Sequence, residues 1–187
     1  TTGVSGPAWA SGSPTQTLAR TYLGRRLATE TFAGQAAGTV SWTYDSQLRV
    51  ASELVDSAWT VTHGYDDDGL LVSSGELAIA RDTAAGRVTA VTNTHASHTL
   101  AQLRTYDGFG QLATLRYERD STLLYEEELV RDNLGRITLK TETVGTALGG
   151  SGDPVEYEYT YDAAGRLIRV DSDGVILEEY TYDKNGN

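Results

Sequence analysis

Tyr161-Asp162-Ala163-Ala164-Gly165-Arg166-Leu167 is the stretch whose reading decides the fold. Asp at the first position of a type I turn accepts the backbone N–H two residues on, and Gly at the fourth takes the left-handed conformation that closes a three-residue hairpin loop. With residues 163–165 as the loop, Asp162 faces Arg166 across the hairpin and Tyr161 faces Leu167, because side chains alternate between the faces of each strand. Upstream, Tyr157, Tyr159 and Tyr161 fall on one face and Glu156, Glu158 and Asp162 on the other, an alternation that belongs to a strand. Downstream, Arg166 to Ser172 runs out, Asp173-Gly174 makes a two-residue type I′ turn, and Val175 to Asp183 runs back.

The phrase recurs. Copies begin at Tyr44, Tyr65, Arg81, Tyr106, Arg131, Tyr161 and Tyr182, at spacings of 21, 16, 25, 25, 30 and 21 residues. The spacing is too irregular for a strict solenoid and natural for hairpins of varying length. Three copies depart from the pattern: Tyr44-Asp45-Ser46-Gln47-Leu48-Arg49 lacks the Gly, the copy at Arg81 is one residue longer, and the copy at Tyr182 is cut off at Asn187. Tyr22-Leu23-Gly24-Arg25-Arg26-Leu27 reads as a decayed earlier copy. The expected fold is therefore all-β, an antiparallel meander of β-hairpins forming a curved or spiralling sheet. Residues 18–187 form the sheet, with clear repeats from about 40. Residues 1–17 form an irregular lead-in or linker rich in Ser, Thr, Gly and Pro, and 145–153 is an inserted loop.

The Tyr-Asp-x-x-Gly-Arg-Leu phrase, with Tyr or Arg before the Asp, resembles the YD repeats of the Rhs family over roughly residues 40–187. That family spans bacterial polymorphic-toxin shells, shell components of insecticidal toxin complexes, wall-associated proteins and teneurins. The resemblance implies arrays that spiral into a hollow β-shell, enclosing a C-terminal toxin polypeptide in some relatives and serving as an extracellular scaffold in others. It implies a non-catalytic structural segment, neighbouring YD repeats as partners, and a secreted or cell-surface bacterial parent. A carbohydrate- or protein-binding adhesion module is the alternative. Toxin shells of the family often end in an Asp-Pro-x-Gly-Leu phrase tied to self-cleavage. The only Asp-Pro here, Asp153-Pro154, is followed by Val155-Glu156-Tyr157, so no catalytic residue is carried over.

Composition agrees with strands and narrows the partners. Eleven Tyr, three Trp and 20 Gly against three Pro suit half-buried pleated surfaces broken by tight turns. A net charge of −11 argues against nucleic acid and against anionic membrane surfaces. No apolar run is long enough for a spanning helix, so no membrane insertion is expected. The chain has no Cys and does not open on Met, which fits an excised or processed piece.

Other motifs weigh less than their plain structural readings. Gly108-Phe109-Gly110-Gln111-Leu112-Ala113 fits a loose dinucleotide fingerprint but falls on a repeat turn. His95 and His98 have a helical ligand spacing in a strand-like context, and His63 stands alone, so neither metal nor triad chemistry is supported. Asp66-Asp67-Asp68-Gly69 and Asp171-Ser172-Asp173-Gly174 resemble the start of a calcium loop without its closing Glu; turn chemistry explains both, with weak calcium binding as the competing reading. Glu126-Glu127-Glu128 and Glu178-Glu179 would serve a glycosidase, yet decorate a solvated face more simply. Tyr157, Tyr159 and Tyr161 would stack a glycan or pack between layers. No cofactor is expected, and unpaired edge strands predict self-association unless the N-terminal segment covers them.

Overall fold

A computed structural model describes residues 4–5, 16–183 and 186 of the chain. Most of the expected lead-in, together with Lys184, Asn185 and Asn187 of the last copy, lies outside the described residues. Of residues 1–17, Val4 and Ser5 are placed against Leu18 and Thr17 as an antiparallel pair.

The chain divides into two compact units, Thr1–Glu76 and Leu77–Asn187. In the first, the strands are β1 (Val4–Ser5), β2 (Thr17–Leu23), β3 (Arg26–Ala33), β4 (Gly38–Tyr44), β5 (Val50–Val55), β6 (Trp59–Tyr65) and β7 (Leu71–Ser74). In the second they are β8 (Leu77–Arg81), β9 (Val88–His95), β10 (His98–Tyr106), β11 (Leu112–Arg119), β12 (Thr122–Arg131), β13 (Ile137–Val144), β14 (Pro154–Tyr161), β15 (Leu167–Ser172) and β16 (Val175–Glu179). Within each unit every strand pairs antiparallel with its neighbour in sequence, which is the expected meander.

Within each unit the Tyr-Asp turns lie at one end of the strands and the plain turns at the other. At the plain end, Asp173 and Gly174 have φ of 47° and 78°, as the type I′ reading requires. Asp56-Ser57 and Asp120-Ser121 also hold positive φ, without any Gly to announce it. The insertion at 145–153 is a loop carrying one 3-10 turn over Thr146–Leu148. The last strand is shorter than expected: β16 stops at Glu179, although the Tyr180 N–H still donates to the Ile168 carbonyl at 2.9 Å.

The faces alternate as read from β14, where Tyr157, Tyr159 and Tyr161 are half-buried while Glu156, Glu158 and Thr160 are exposed. Register carries the same split across the second unit. Tyr117 lies opposite Tyr125, Glu127 opposite Glu142, and Lys140 opposite Tyr157 on one face; Arg116 lies opposite Glu126, and Thr141 opposite Glu156, on the other. Yet among the described residues no hydrophobic side chain is buried, and the buried charged residue is Asp171, held by Arg169 at 2.5 Å. Each unit is a sheet one layer thick, with apolar side chains half-covered on both sides and no core beneath them.

Candidate functional site

The Tyr-Asp turns carry the structural chemistry of the chain. In the turn after β14, Asp162 Oδ1 accepts the Ala164 and Arg166 N–H groups at 2.9 Å each, while Oδ2 takes the Arg166 Nε at 2.7 Å. The Asp162 N–H donates to the Arg166 carbonyl and the Gly165 N–H to the Asp162 carbonyl, both at 2.9 Å, with Gly165 at φ 81°. One carboxylate thus fixes the loop and its own arginine, as the sequence spacing required. Asp45, Asp82 and Asp132 bind Arg49, Arg87 and Arg136 in the same way, at 2.7, 2.8 and 2.7 Å.

These contacts hold the aspartates below the usual carboxylate range. The Arg136 guanidinium does so for Asp132 and that of Arg87 for Asp82; for Asp162 the Arg166 backbone N–H leads, followed by its side chain. Burial opposes the shift at Asp45 and is outweighed by the bonds from Arg49 and Gln47. A carboxylate whose pKa is depressed on folding adds stability above its unfolded pKa of about 4, and that contribution is lost as pH falls through the depressed folded value. Urea midpoints measured from neutral pH downward are therefore expected to hold until about pH 4 and then fall. Arg49, Arg87, Arg136 and Arg166 each changed to Gln should flatten that fall.

A bulge follows each of these turns, on the returning strand and opposite the residue that opens the copy, and the sequence did not announce it. Thr160 lies opposite Arg169 but Tyr161 lies opposite Leu167, so Ile168 is left over; the same slip occurs at Thr21/Tyr22, Thr43/Tyr44, Gly64/Tyr65, Ala80/Arg81, Thr105/Tyr106 and Val130/Arg131. A bulge bends the strand that carries it. The tyrosine opposite it reaches sideways to the preceding copy. The hydroxyls of Tyr44, Tyr65, Tyr106, Tyr161 and Tyr182 donate to the carbonyls of Leu27, Val50, Val88, Ile137 and Leu167 at 2.7–2.9 Å.

The preceding copy's arginine closes the contact from the other side. Arg26, Arg49, Arg87, Arg136 and Arg166 lie over the rings of Tyr44, Tyr65, Tyr106, Tyr161 and Tyr182, with guanidinium carbons 5.2, 4.3, 4.8, 4.6 and 4.5 Å from the ring centres. The same guanidinium presses on the next turn's glycine: a Cβ on Gly110 would stand 2.7 Å from Arg87 Nη1, and one on Gly69 3.3 Å from Arg49 Nη1. Arg49, Arg87, Arg136 and Arg166 are therefore each held by their own aspartate and clasp the tyrosine and glycine of the next copy, while Arg26 clasps Tyr44 alone.

The clasp leaves a sequence signal that the repeat phrase alone hides. The residue after the turn is Arg26, Arg49, Leu70, Arg87, Gln111, Arg136 and Arg166 in successive copies, and the residue opening the following copy is Tyr44, Tyr65, Arg81, Tyr106, Arg131, Tyr161 and Tyr182. Arg is always followed by Tyr, and Leu or Gln always by Arg. At the junction after Gln111, the arginine opening the next copy supplies the donor that a tyrosine supplies elsewhere: Arg131 Nη1 donates to the Leu112 carbonyl at 2.5 Å.

The Leu48 turn tests the glycine's role. Leu48 holds φ 71°, and its clasp is the widest of the five at 5.2 Å. Leu48→Gly is expected to raise stability by about 1 kcal/mol, since a left-handed L residue costs that much more than glycine. A urea midpoint unchanged or lowered would contradict this.

The other sequence candidates fall into structural roles. Asp66-Asp67-Asp68-Gly69 is a Tyr-Asp turn, with the Leu70 N–H on Asp66 Oδ1 at 2.8 Å. In 171–174, Asp171 is taken up by Arg169, and Asp173 accepts the Glu156 N–H at 3.1 Å. His95 and His98 pair across a β-turn, and His98 Nδ1 lies 2.8 Å from Asp120 Oδ2. The Gly108-x-Gly110 segment is a Tyr-Asp turn leading into β11. Strand alternation splits the acidic run: Glu126 binds Arg116 at 3.1 Å, while Glu127 receives the Tyr125 hydroxyl at 3.1 Å and faces Lys140 at 3.8 Å. Burial, seconded by Glu127, pushes the Tyr125 phenol up to about 12. Glu178 and Glu179 are exposed on β16. The Tyr157 ring is capped by the Lys140 ammonium at 5.2 Å.

Comparison with known proteins meets this geometry directly, because the teneurin YD-shell family model matches residues 17–187. The chain belongs to that family. Human teneurin-4 is 27 % identical over 170 residues, covering 88 % of this chain and 6 % of the relative. Mouse teneurin-3 is 32 % identical over 82 residues, 44 % of this chain and 3 % of the relative. This YD-shell chain thus spans a small fraction of the curated relatives it matches. Among solved structures, the crystal structure of TcdB2-TccC3-Cdc42 superposes with a TM-score of 0.63 at 14 % identity, covering 89 % of this chain and 10 % of that one. The crystal structure of TcdB2-TccC3 gives 0.64 at 13 %, covering 85 % and 9 %. At such identity the likeness shows a shared fold. The family match also begins before residue 40, taking in the decayed Tyr22 copy, whose Arg26 and Leu27 make the first clasp with Tyr44.

Proposed function

We propose that this chain is a non-catalytic wall segment of a larger secreted or cell-surface YD shell, and that the parent's shell encloses a C-terminal toxin polypeptide. The observation that carries the wall reading is a clasped sheet without one buried hydrophobic side chain among its described residues. A sheet bearing apolar side chains on both faces needs cover from outside itself. Neighbouring repeats of the parent and an enclosed chain are the covers that a wall supplies. The fold shared with TcdB2-TccC3 and with the Photorhabdus luminescens Tc holotoxin pore supports enclosure as the first version to test.

Protease digestion of the full-length parent, followed by mass spectrometry, tests enclosure. A C-terminal polypeptide that survives until the shell is denatured supports it. Prompt digestion of that polypeptide, or its absence, removes it and leaves an open scaffold.

A carbohydrate- or protein-binding adhesion module is the second reading, favoured by the row of Tyr157, Tyr159 and Tyr161 on one face of β14. A glycan array without binding at millimolar ligand would remove its sugar version.

A further inference from the structure

The junction between the turns at 107–111 and 131–135 differs from the clasped junctions in three respects. The first is charge. Gln111 stands where the other turns of this unit carry Arg87, Arg136 and Arg166, and it reaches toward the next turn without bridging its own aspartate: a Cβ on Gly135 would stand 3.2 Å from Gln111 Nε2. Asp107 Oδ1 accepts the Phe109 and Gln111 N–H groups at 2.9 Å, but no cation pairs with its carboxylate among the described residues. Arg131 is committed to the Leu112 carbonyl.

The second is apolarity at the tips. The two loop positions are Ser46-Gln47, Asp67-Asp68 and Ala163-Ala164 in other turns, all small or polar. Here they are Gly108-Phe109 and Asn133-Leu134, with Phe109 88 % and Leu134 78 % exposed. Val130, beside them on β12, is 53 % exposed. The third is space: a groove of about 500 Å³ runs between the two turns, lined by Asp107, Phe109, Gln111, Val130, Arg131 and Leu134 among others.

A glutamine in place of the clasping arginine, a carboxylate without a cation and two raised apolar tips coincide at one junction. We propose that this groove docks a partner polypeptide presenting an arginine flanked by apolar side chains. The arginine sets its fork on Asp107 Oδ2, which Gln111 does not reach, and its neighbours cover Phe109 and Leu134. Charge complementarity selects the occupant, since an uncharged apolar segment would leave the carboxylate covered and unpaired. The site lies at the turn edge, away from the strand faces that the wall reading uses, so it stands or falls independently of toxin enclosure.

The test is amide chemical-shift mapping on the full chain, with acetyl-Leu-Arg-Leu-amide and its Gln-centred counterpart as probes. The Arg peptide should shift Gly108, Phe109 and Leu134 and bind about tenfold more tightly than the Gln peptide. The double variant Gln111→Arg, Arg131→Tyr restores the clasp within the chain and should abolish these shifts. Asp107→Asn keeps an oxygen for the turn N–H groups and should reduce the Arg peptide to the Gln peptide's affinity; it decides the matter should the double variant fail to fold. Equal binding of the two peptides, shifts spread over every Tyr-Asp turn, or undiminished binding to Asp107→Asn would each overturn the proposal.

Discussion

Gly145→Ala is expected to cost about 3 kcal/mol, a large loss for a single methyl. A Cβ on Gly145 would stand 2.1 Å from the Leu123 carbonyl oxygen and 3.2 Å from that of Leu124, both backbone atoms that cannot rotate away. Gly145 also donates its N–H to Leu124 at 2.8 Å and accepts the Leu148 and Gly150 N–H groups, so moving it loosens the whole 145–153 loop. Gly64→Ala is the instructive contrast. Its Cβ would meet the Ser73 hydroxyl at 2.4 Å, a side-chain atom that a rotamer change removes, so its cost should be about 1 kcal/mol. Gly108, with nothing within 4 Å of the added carbon, should change little. Urea midpoints of the three alanine variants check the order, and equal midpoints for Gly145→Ala and Gly108→Ala would contradict it.

The second large effect belongs to the clasp. Arg136→Ala removes a guanidinium that binds Asp132 at 2.6 Å and covers the Tyr161 ring at 4.6 Å, and should cost about 2 kcal/mol. Tyr161→Phe keeps the ring and strands the Ile137 carbonyl, for about 1 kcal/mol. The informative quantity is the coupling. In a double-mutant cycle with alanine at both positions, Arg136 and Tyr161 should interact by about 1 kcal/mol although 25 residues of sequence separate them. Arg136 and Tyr157, whose ring is capped by Lys140 instead, should be additive. Equal coupling in the two cycles would show that the clasp holds nothing specific.

The turn was legible because its chemistry is local. Asp162 and Arg166 stand four residues apart and Gly165 supplies the positive φ, so spacing alone placed the ion pair, the loop and the register of Tyr161 against Leu167. The alternation of Tyr157 and Tyr159 with Glu156 and Glu158 was legible for the same reason. The clasp was not, because Arg136 and Tyr161 become neighbours only after β13 and β14 have paired across the 145–153 loop. Nor did anything announce the bulge at Ile168, opposite Tyr161, or the bond from the Tyr161 hydroxyl to Ile137. The turns at Asp56-Ser57 and Asp120-Ser121 hid behind residues that seldom take positive φ. There the aspartates also hold adjacent strands, through the N–H groups of Thr39 and Thr99 at 2.6 and 2.8 Å. The end of β16 at Glu179 escaped because strand propensity continues through Tyr180 and Thr181 after the ladder has stopped.

The nearest-neighbour order of the strands bears on how such a chain is made. Each hairpin finds its partners in residues already synthesised, so loop closure stays short and no strand waits for a distant one. Such a sheet is suited to vectorial assembly, one hairpin at a time from the amino end, with each new tyrosine locking onto an arginine that its predecessor has already positioned.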